Sequence, residues 1–195
     1  LRLLFIVTFI SATCIKVVAQ DNINNPKDLI LLIGQSNMAG RATLLPEDDK
    51  VIEGAFLFDS LNHWIPLKNP LNIHSSIRKI ARMQKLNLGY TFAKKMIETN
   101  TLNPIGLVVN ARGGTKIQAW VPGTFYYKEA LRRSLEAMEE GGKFRAILWH
   151  QGEGNLNDDT DTDYDDYFDK LKSIIIQLRK DLKNDKLIFI AGELN

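Results

Sequence analysis

The sequence is poor in the residues that build disulfides and thiolate metal sites, because it has one cysteine, Cys14, among 195 residues. A single cysteine excludes an intrachain disulfide and a zinc site made of several thiolates. An excess of charge is also missing, since 25 basic and 23 acidic residues leave a net charge of +2. This balance argues against a nucleic-acid partner. With 45% hydrophobic residues and no repeat, low-complexity tract or linker, the composition is that of one globular domain.

The first twenty residues have the pattern of a secretory signal peptide. A charge at Arg2 precedes an apolar run, and small residues follow, which predicts cleavage after Ala19 and a mature domain of residues 20–195. The apolar run is too short for a transmembrane helix. We therefore expect a secreted or periplasmic protein. Two alternatives remain open: a buried first strand, and lipoprotein cleavage before Cys14, for which Thr13 is an unfavourable preceding residue.

Strand and helix patterns alternate through the rest of the chain. Continuous apolar runs bounded by turn residues predict buried strands of a parallel sheet, at residues 28–33, 105–109, 144–149 and 187–190, with a shorter candidate at 55–58. Apolar residues at helical spacing predict helices at 88–96, 131–138 and 164–182. The alternation predicts an α/β fold of three layers, α/β/α, in which helices cover both faces of a central parallel sheet.

Three polar loops follow the predicted strands, where ligands bind in sheets of this kind. Their sequences are GQSNMAGR at 34–41, NARGGT at 110–115 and HQGEGN at 150–155. All three are made of small and polar residues. Because the strands run in parallel, their loops would converge on one edge of the sheet. We therefore expect the functional site at that edge.

The first loop presents Ser36 at the end of a buried strand. A P-loop is excluded, because five residues separate Gly34 from Gly40 and Arg41 follows where lysine belongs. The dinucleotide-binding fingerprint is absent. The G-x-S-x-G nucleophile elbow is excluded too, because Met38 replaces its second glycine. Two interpretations of Ser36 remain, a helix N-cap and a nucleophile.

The other two loops carry groups that suit acyl transfer. Gly113 and Gly114 would free backbone N–H groups to face an oxyanion, although a glycine pair is also typical of a tight turn. The amide of Gln151 could donate to an oxyanion, and Glu153 could orient an imidazole. His150 follows its strand directly, and we interpret it as structural.

We predict no chemistry for the remaining histidines or for the Asp-rich run. His63 and His74 lie in a segment without clear periodicity and are interpreted as non-catalytic. A calcium loop needs glycine at its sixth position and glutamate at its twelfth, and neither is well placed in this run. We interpret its aspartates as helix N-terminal acids and a solvated face; they are Asp158, Asp159, Asp161, Asp163, Asp165, Asp166 and Asp169.

Together the three loops resemble the sialate O-acetylesterase and acetylxylan esterase family, carbohydrate esterase family 6 of the SGNH hydrolase superfamily. GQSNMAGR looks like the family's nucleophile block, NARGGTKIQAW like its glycine block and WHQGEGN like its third block. Their order and spacing match over most of residues 28–195. The resemblance implies the flavodoxin-like SGNH hydrolase fold. It also implies a serine esterase without cofactor or metal, whose partner is an acetylated carbohydrate, either acetylxylan or O-acetylated sialic acid.

The resemblance also assigns roles to individual residues. Ser36 would attack the acetyl carbonyl and form an acetyl-enzyme. The N–H groups of Ser36 and of Gly113 or Gly114, with the side chain of Gln151, would form the oxyanion hole. Glu153 would assist the catalytic histidine. Three further residues would bind substrate, namely Asn37, Arg112 and Trp120, the last with a place in the core as the alternative.

The general base is where the sequence departs from the superfamily. The superfamily's catalytic histidine stands in a C-terminal D-x-x-H block, and this sequence has no such block and no histidine after His150. One hypothesis is a C-terminally truncated esterase. Another is a catalytically inactive carbohydrate-binding member, and a third is a flavodoxin-like anion binder. Because an unassisted serine hydroxyl is a weak nucleophile, the polypeptide as written is expected to be a poor catalyst.

Overall fold

The computed structural model describes residues 25–102, 104–156 and 164–194. The strands are β1 (Asp28–Gly34), β2 (Ile52–Phe58), β3 (Trp64–Leu67), β4 (Ile105–Ala111), β5 (Lys143–His150) and β6 (Ile188–Ala191). The α-helices are α1 (Ser36–Ala39), α2 (Leu88–Glu98), α3 (Phe125–Glu139), α4 (Glu153–Leu156) and α5 (Tyr164–Asp181). Single turns of 3-10 helix occur at Pro46–Asp48, Leu71–His74, Ala81–Met83 and Ile117–Trp120.

The strands form one six-stranded sheet in the order β3–β2–β4–β1–β5–β6. Five of them are parallel, and β3 pairs with β2 in the antiparallel direction at the edge. The parallel centre agrees with the apolar runs in the sequence, since a strand covered on both faces needs apolar side chains on both. In β1 the six residues after Asp28 are all buried.

Helices cover both faces of the sheet, as the sequence predicts. On one face, Leu29 and Leu31 of β1 pack in a core with apolar residues of α3 and α5. On the other face, Ile30 and Leu32 share a second core with residues of α1 and α2. Because successive side chains of a strand point to opposite faces, one strand supplies both cores. The three-layer α/β/α prediction is therefore confirmed.

Details of the helices and of the sheet edge differ from the predictions. Phe168, one of the apolar residues at helical spacing in the predicted helix 164–182, is 63% exposed. The buried residues of α5 lie nearer its end, from Ile174 onward. Leu135 of α3 is also exposed. Strand β3 was not predicted, because it has four residues, contains Pro66 and pairs only at an edge.

Several sequence predictions fall outside the described residues. The signal peptide, its cleavage after Ala19 and the start of the domain at residue 20 all precede the described ranges, and part of the Asp-rich run, residues 158–163, lies in a gap between them. Within the ranges given above, no helix has the length and hydrophobicity needed to span a bilayer.

Candidate active site

The three polar loops meet at the carboxyl edge of the sheet, as expected. Strand β1 lies between β4 and β5, and all three run in the same direction. At the last position of β1, Gly34 pairs with Ala111 on one side and with His150 on the other. Each strand therefore ends at the same level, and the loops that follow are neighbours in space.

Ser36 stands directly after a sharp turn at the end of β1. Gly34 has φ +142, and a Cβ there would lie 2.2 Å from the carbonyl oxygen of His150, so only glycine fits. The N–H of Gln35 donates to that same carbonyl at 2.9 Å. Ser36 is half-buried and is the first residue of α1, whose N-cap is Gln35. The N-cap interpretation of Ser36 is therefore wrong.

Of the two glycines in the second loop, Gly113 is the one beside Ser36. A Cβ added at Gly113 would lie 3.4 Å from the Cβ of Ser36 and 2.7 Å from Nη2 of Arg41. Gly114 has φ +77, and its missing Cβ would lie 3.3 Å from Nζ of Lys79. Of the two glycines, Gly113 is therefore the one whose backbone lies next to the nucleophile candidate.

Glu153 joins the two residues that flank Ser36. Its carboxylate accepts hydrogen bonds from Nε2 of Gln35 and, at 2.6 Å, from Nδ2 of Asn37. Nδ1 of His150 lies 3.6 Å from Oε1 of the same carboxylate. The structure therefore brings Ser36, Asn37 and Glu153 together. Gln35 was missed at the sequence level, where its only signal was its position next to Ser36.

The side chain of Gln151 is engaged inside the protein. It is 2% exposed, and its Nε2 donates to the carbonyl of Thr115 and to Oδ1 of Asn155, both at 2.9 Å. The hydroxyl of Tyr167 donates to its Oε1 at 3.0 Å. A primary amide has two N–H donors, and both are taken here. Gln151 therefore links the loop after β4 to the loop after β5. Neither N–H of its side chain remains for an oxyanion, contrary to the expected role.

The predicted substrate residues Trp120 and Arg112 have different positions. Trp120 is 1% exposed, packs edge-on against Trp149 and donates from Nε1 to Oγ1 of Thr115 at 2.9 Å. It therefore belongs to the core, and its assignment to the substrate cleft is corrected, because a buried ring offers a ligand no surface. Arg112 is half-buried and holds a neighbouring segment, since its Nη1 donates to the carbonyl of Ile77 at 3.0 Å.

A basic groove borders the second loop, and sequence reasoning did not identify it. Its volume is about 660 Å³, and it is lined by Arg78, Lys79, Ile80, Ala81, Met83 and Arg112. Nη1 of Arg41, whose Nη2 lies against Gly113, donates to the carbonyl of Met83 at 3.0 Å. Arg41 therefore contacts both a residue that lines the groove and the loop beside Ser36. Burial lowers the pKa of Arg41 from its usual value.

The histidines occupy three different environments. His150, interpreted as structural, lines a small pocket of about 290 Å³ together with Asn37 and Arg41, so one face of its ring reaches the site region. His63 is exposed. His74 is half-buried, and burial lowers its pKa, with Asp59 opposing the shift.

Comparisons with known proteins find carbohydrate esterases among the relatives of this chain. A family model described as carbohydrate esterase, sialic acid-specific acetylesterase (SASA) matches residues 26–195. A probable carbohydrate esterase of Arabidopsis thaliana, At4g34215, is 31% identical over 182 residues, which cover 85% of this chain and 68% of the relative. In the X-ray structure of that Arabidopsis protein the identity is 28% and the TM-score 0.75, with 85% of this chain and 73% of that one covered.

Two more distant structures share the fold. The crystal structure of NanS is 19% identical with a TM-score of 0.66, over 87% of this chain and 68% of that chain. XAC1771, a carbohydrate acetylesterase from Xanthomonas citri, is 20% identical with a TM-score of 0.58, over 84% of this chain and 41% of that chain. These matches confirm the predicted α/β fold, with helices around a mostly parallel sheet. The chain therefore belongs to the sialic acid-specific acetylesterase family of carbohydrate esterases.

Proposed function

We propose that the protein is an exported serine esterase that removes O-acetyl groups from carbohydrate through an acetyl-Ser36 intermediate. The observation that carries this proposal is the contact between Ser36 and the backbone of Gly113 at the carboxyl edge of the sheet. Family membership supports the reaction type. The signal-like sequence before residue 20 supports export to the periplasm or the medium.

The reaction follows the two-step course of serine acyl transfer. Oγ of Ser36 attacks the acetyl carbonyl carbon while a general base takes its proton, and the oxyanion is held by the N–H groups of Ser36 and Gly113. The sugar oxygen leaves with a proton, and the acetyl group stays on Ser36. Water then gives a proton to the base and attacks the acetyl carbonyl carbon. The bond to Oγ breaks, acetate is released, and Oγ takes the proton back, which restores the hydroxyl of Ser36. In the SGNH superfamily the base is a histidine, and we assign no step to His150.

The charge of the groove favours an acidic sugar over a neutral one. Arg78, Lys79 and Arg112 line it, and none of the three forms an ion pair with any residue in the described ranges. Unpaired cations beside a nucleophile would attract and orient a carboxylate, most strongly through the arginine forks. O-acetylated sialic acid carries such a carboxylate, whereas the acetylxylose unit of acetylxylan does not.

The segment that carries Arg78 and Lys79, residues 72–84, is held in place by buried polar side chains. This supports a specific binding role for its cations. Nδ2 of Asn72 donates to Oε1 of Gln84 at 2.8 Å and to the carbonyl of Ala111 at 3.1 Å. The hydroxyl of Ser75 donates to Oδ1 of Asn110 at 2.8 Å. These contacts attach the chain before Arg78 to the end of β4, and Asn72 in turn holds Gln84, which follows Arg78. The cations of this segment are therefore presented from a fixed backbone, as selective recognition requires.

The nucleophile is tested with the intact gene product and three substrates: O-acetylated sialic acid, acetylxylan and p-nitrophenyl acetate. We expect Ser36→Ala to reduce kcat on the order of 10³-fold or more on each substrate that turns over. Full turnover by Ser36→Ala would refute the proposal. Glycan binding without release of acetate would instead support the inactive carbohydrate-binding alternative.

The substrate preference is tested separately from the nucleophile. Lys79→Met removes one cation from the groove. We expect KM for O-acetylated sialic acid to rise about tenfold more than KM for p-nitrophenyl acetate, because one charge-assisted contact to the sugar carboxylate is lost. Lys94→Met, an exposed lysine of α2, is the matched control. Equal effects of the two substitutions, or higher activity on acetylxylan, would exclude the acidic preference while leaving the esterase proposal intact.

A further inference from the structure

We infer that Gln35, Glu153 and Asn37 form a clamp that positions the nucleophile, an inference that rests on the proposed role of Ser36. Gln35 precedes Ser36 and Asn37 follows it, and both amides donate to the carboxylate of Glu153. A single side chain from the third loop thus holds the chain on either side of the reacting hydroxyl. In this arrangement Glu153 is a positioning residue, which acts through the turn that carries Ser36.

The turn needs this support because its own secondary structure is minimal. Helix α1 has four residues, and its N-terminus has no side-chain cap. A helix of one turn is not stable by itself. At the base of the turn Gln35 donates to the carbonyl of His150, and Ala39 donates to the carbonyl of Gln35 at 2.8 Å. At its far end Nδ2 of Asn87 donates to the carbonyl of Met38 at 3.0 Å. The two contacts to Glu153 add a link between the loops after β1 and β5.

The two halves of the clamp differ in their exposure to water. Gln35 is 3% exposed, and the missing Cβ of Gly154 would lie 3.0 Å from its Oε1, so its amide is enclosed. If Glu153 were removed, the N–H of Gln35 would lose its partner in a mostly enclosed position. Asn37 is exposed, and water can satisfy its amide. The Gln35 half is therefore expected to matter more.

An alternative role for Glu153 is to stabilise a positive imidazole by its charge. The distances favour the clamp, since the carboxylate bonds both amides while Nδ1 of His150 lies 3.6 Å away, beyond an ordinary hydrogen bond. The two roles make different demands on the side chain. Positioning needs an acceptor of the right shape, whereas stabilising an imidazolium needs the negative charge.

The clamp predicts an effect on kcat, because a misplacement of a reacting group by about 1 Å can reduce the rate about 10²-fold. In the intact gene product acting on p-nitrophenyl acetate, Glu153→Ala should lower kcat about 100-fold and change KM less than about threefold. Glu153→Gln keeps one oxygen, and rotation of one partner amide restores the second contact, so its loss should stay below about tenfold. In the double variant Glu153→Ala with Gln35→Ala, kcat should fall no further than in Glu153→Ala alone. The reason is that the two substitutions remove the same hydrogen bond between Gln35 and Glu153.

Further variants and thermal unfolding separate the possible explanations of a lower kcat. Glu136→Ala replaces a glutamate of similar exposure that pairs with Arg132 on α3, and thermal unfolding of every variant separates lost positioning from lost folding. Asn37→Ala changes an exposed side chain, so the fold should persist. We expect kcat to fall about threefold to tenfold, because only the exposed contact from Asn37 to Glu153 is lost. Turnover by Ser36→Ala would refute the proposed function itself.

The remaining outcomes concern the clamp alone. If Ser36→Ala is inactive and Glu153→Gln falls as far as Glu153→Ala, the charge is what matters and the clamp is refuted. Multiplicative losses in the double variant, or an unchanged kcat for Asn37→Ala, would also refute it.

Discussion

The substitution Gly113→Ala tests the candidate oxyanion hole, because it should affect kcat more than it affects the free energy of unfolding. Gly113 does not have a positive φ, so alanine is compatible with its backbone. The added Cβ would lie 2.7 Å from Nη2 of Arg41, the end of a flexible side chain that can move. The displacement would weaken the bonds from Nη1 of Arg41 to the carbonyls of Gly40 and Met83. Two ordinary hydrogen bonds correspond to about 1–3 kcal/mol of unfolding free energy.

The effect on catalysis should be larger. The new methyl group would lie 3.4 Å from the Cβ of Ser36, in the space that the attacked carbonyl must enter. Displacing one oxyanion donor reduces kcat about 10²–10³-fold, which corresponds to about 2.7–4 kcal/mol of transition-state stabilisation. Steady-state hydrolysis of p-nitrophenyl acetate by the intact gene product gives kcat, and thermal unfolding gives Tm, which should fall by roughly 2–4 °C per kcal/mol.

Gly123→Ala is the matched control for this substitution. Gly123 has φ +90, and no atom of the residues that the structure describes lies within 4 Å of an added Cβ, so alanine there strains the backbone without contacting Ser36. We expect a loss of about 1 kcal/mol of stability and an unchanged kcat. A Gly113→Ala variant that keeps kcat within about threefold, while Ser36→Ala is inactive, would show that Gly113 does not border the reacting carbonyl.

Substitutions at three further positions test the fold. Arg133→Ala should lower the unfolding free energy by about 2–5 kcal/mol in urea titration, because its buried guanidinium donates to the carbonyls that end β2, whereas Arg133→Met should lose less. Gly34→Ala should abolish soluble expression, since its Cβ would overlap the carbonyl oxygen of His150. Burial lowers the pKa of His74, so the folded state binds a proton at this side chain less readily than the unfolded state does. The free energy of unfolding should therefore fall as the pH drops below about 6.5. His74→Gln should make Tm depend less steeply on pH in this range.

The parallel centre of the sheet could be predicted because its signal is local. Strands β1, β4 and β5 are mostly apolar, and each is followed by a loop of small and polar residues. Parallel strands place those loops at one edge whatever the strand order, so the position of the site followed as well. The edge strand β3 could not be predicted, since four residues including Pro66 carry too weak a pattern.

The partners of the site side chains could not be predicted in the same way. In the sequence, Gln151 is an amide next to a strand end, which suits an oxyanion donor. In the fold, Thr115 and Asn155 occupy its two N–H groups, and the first of these residues is 36 positions away. The aromatic ring of Trp120 is likewise compatible with a cleft or a core, and only packing against Trp149 decides between them.

The sequence by itself determined the α/β class, the three loops and the candidacy of Ser36, because these depend on residue type and on spacing along the chain. Tertiary structure alone decided that Gly113 rather than Gly114 adjoins Ser36, that Glu153 bonds both neighbours of Ser36, and that separate cations share one groove. The physical reason is one of range. Apolar periodicity acts between near neighbours in sequence, whereas a hydrogen bond or a shared groove depends on ångström-scale distances between residues that only the folded chain brings together.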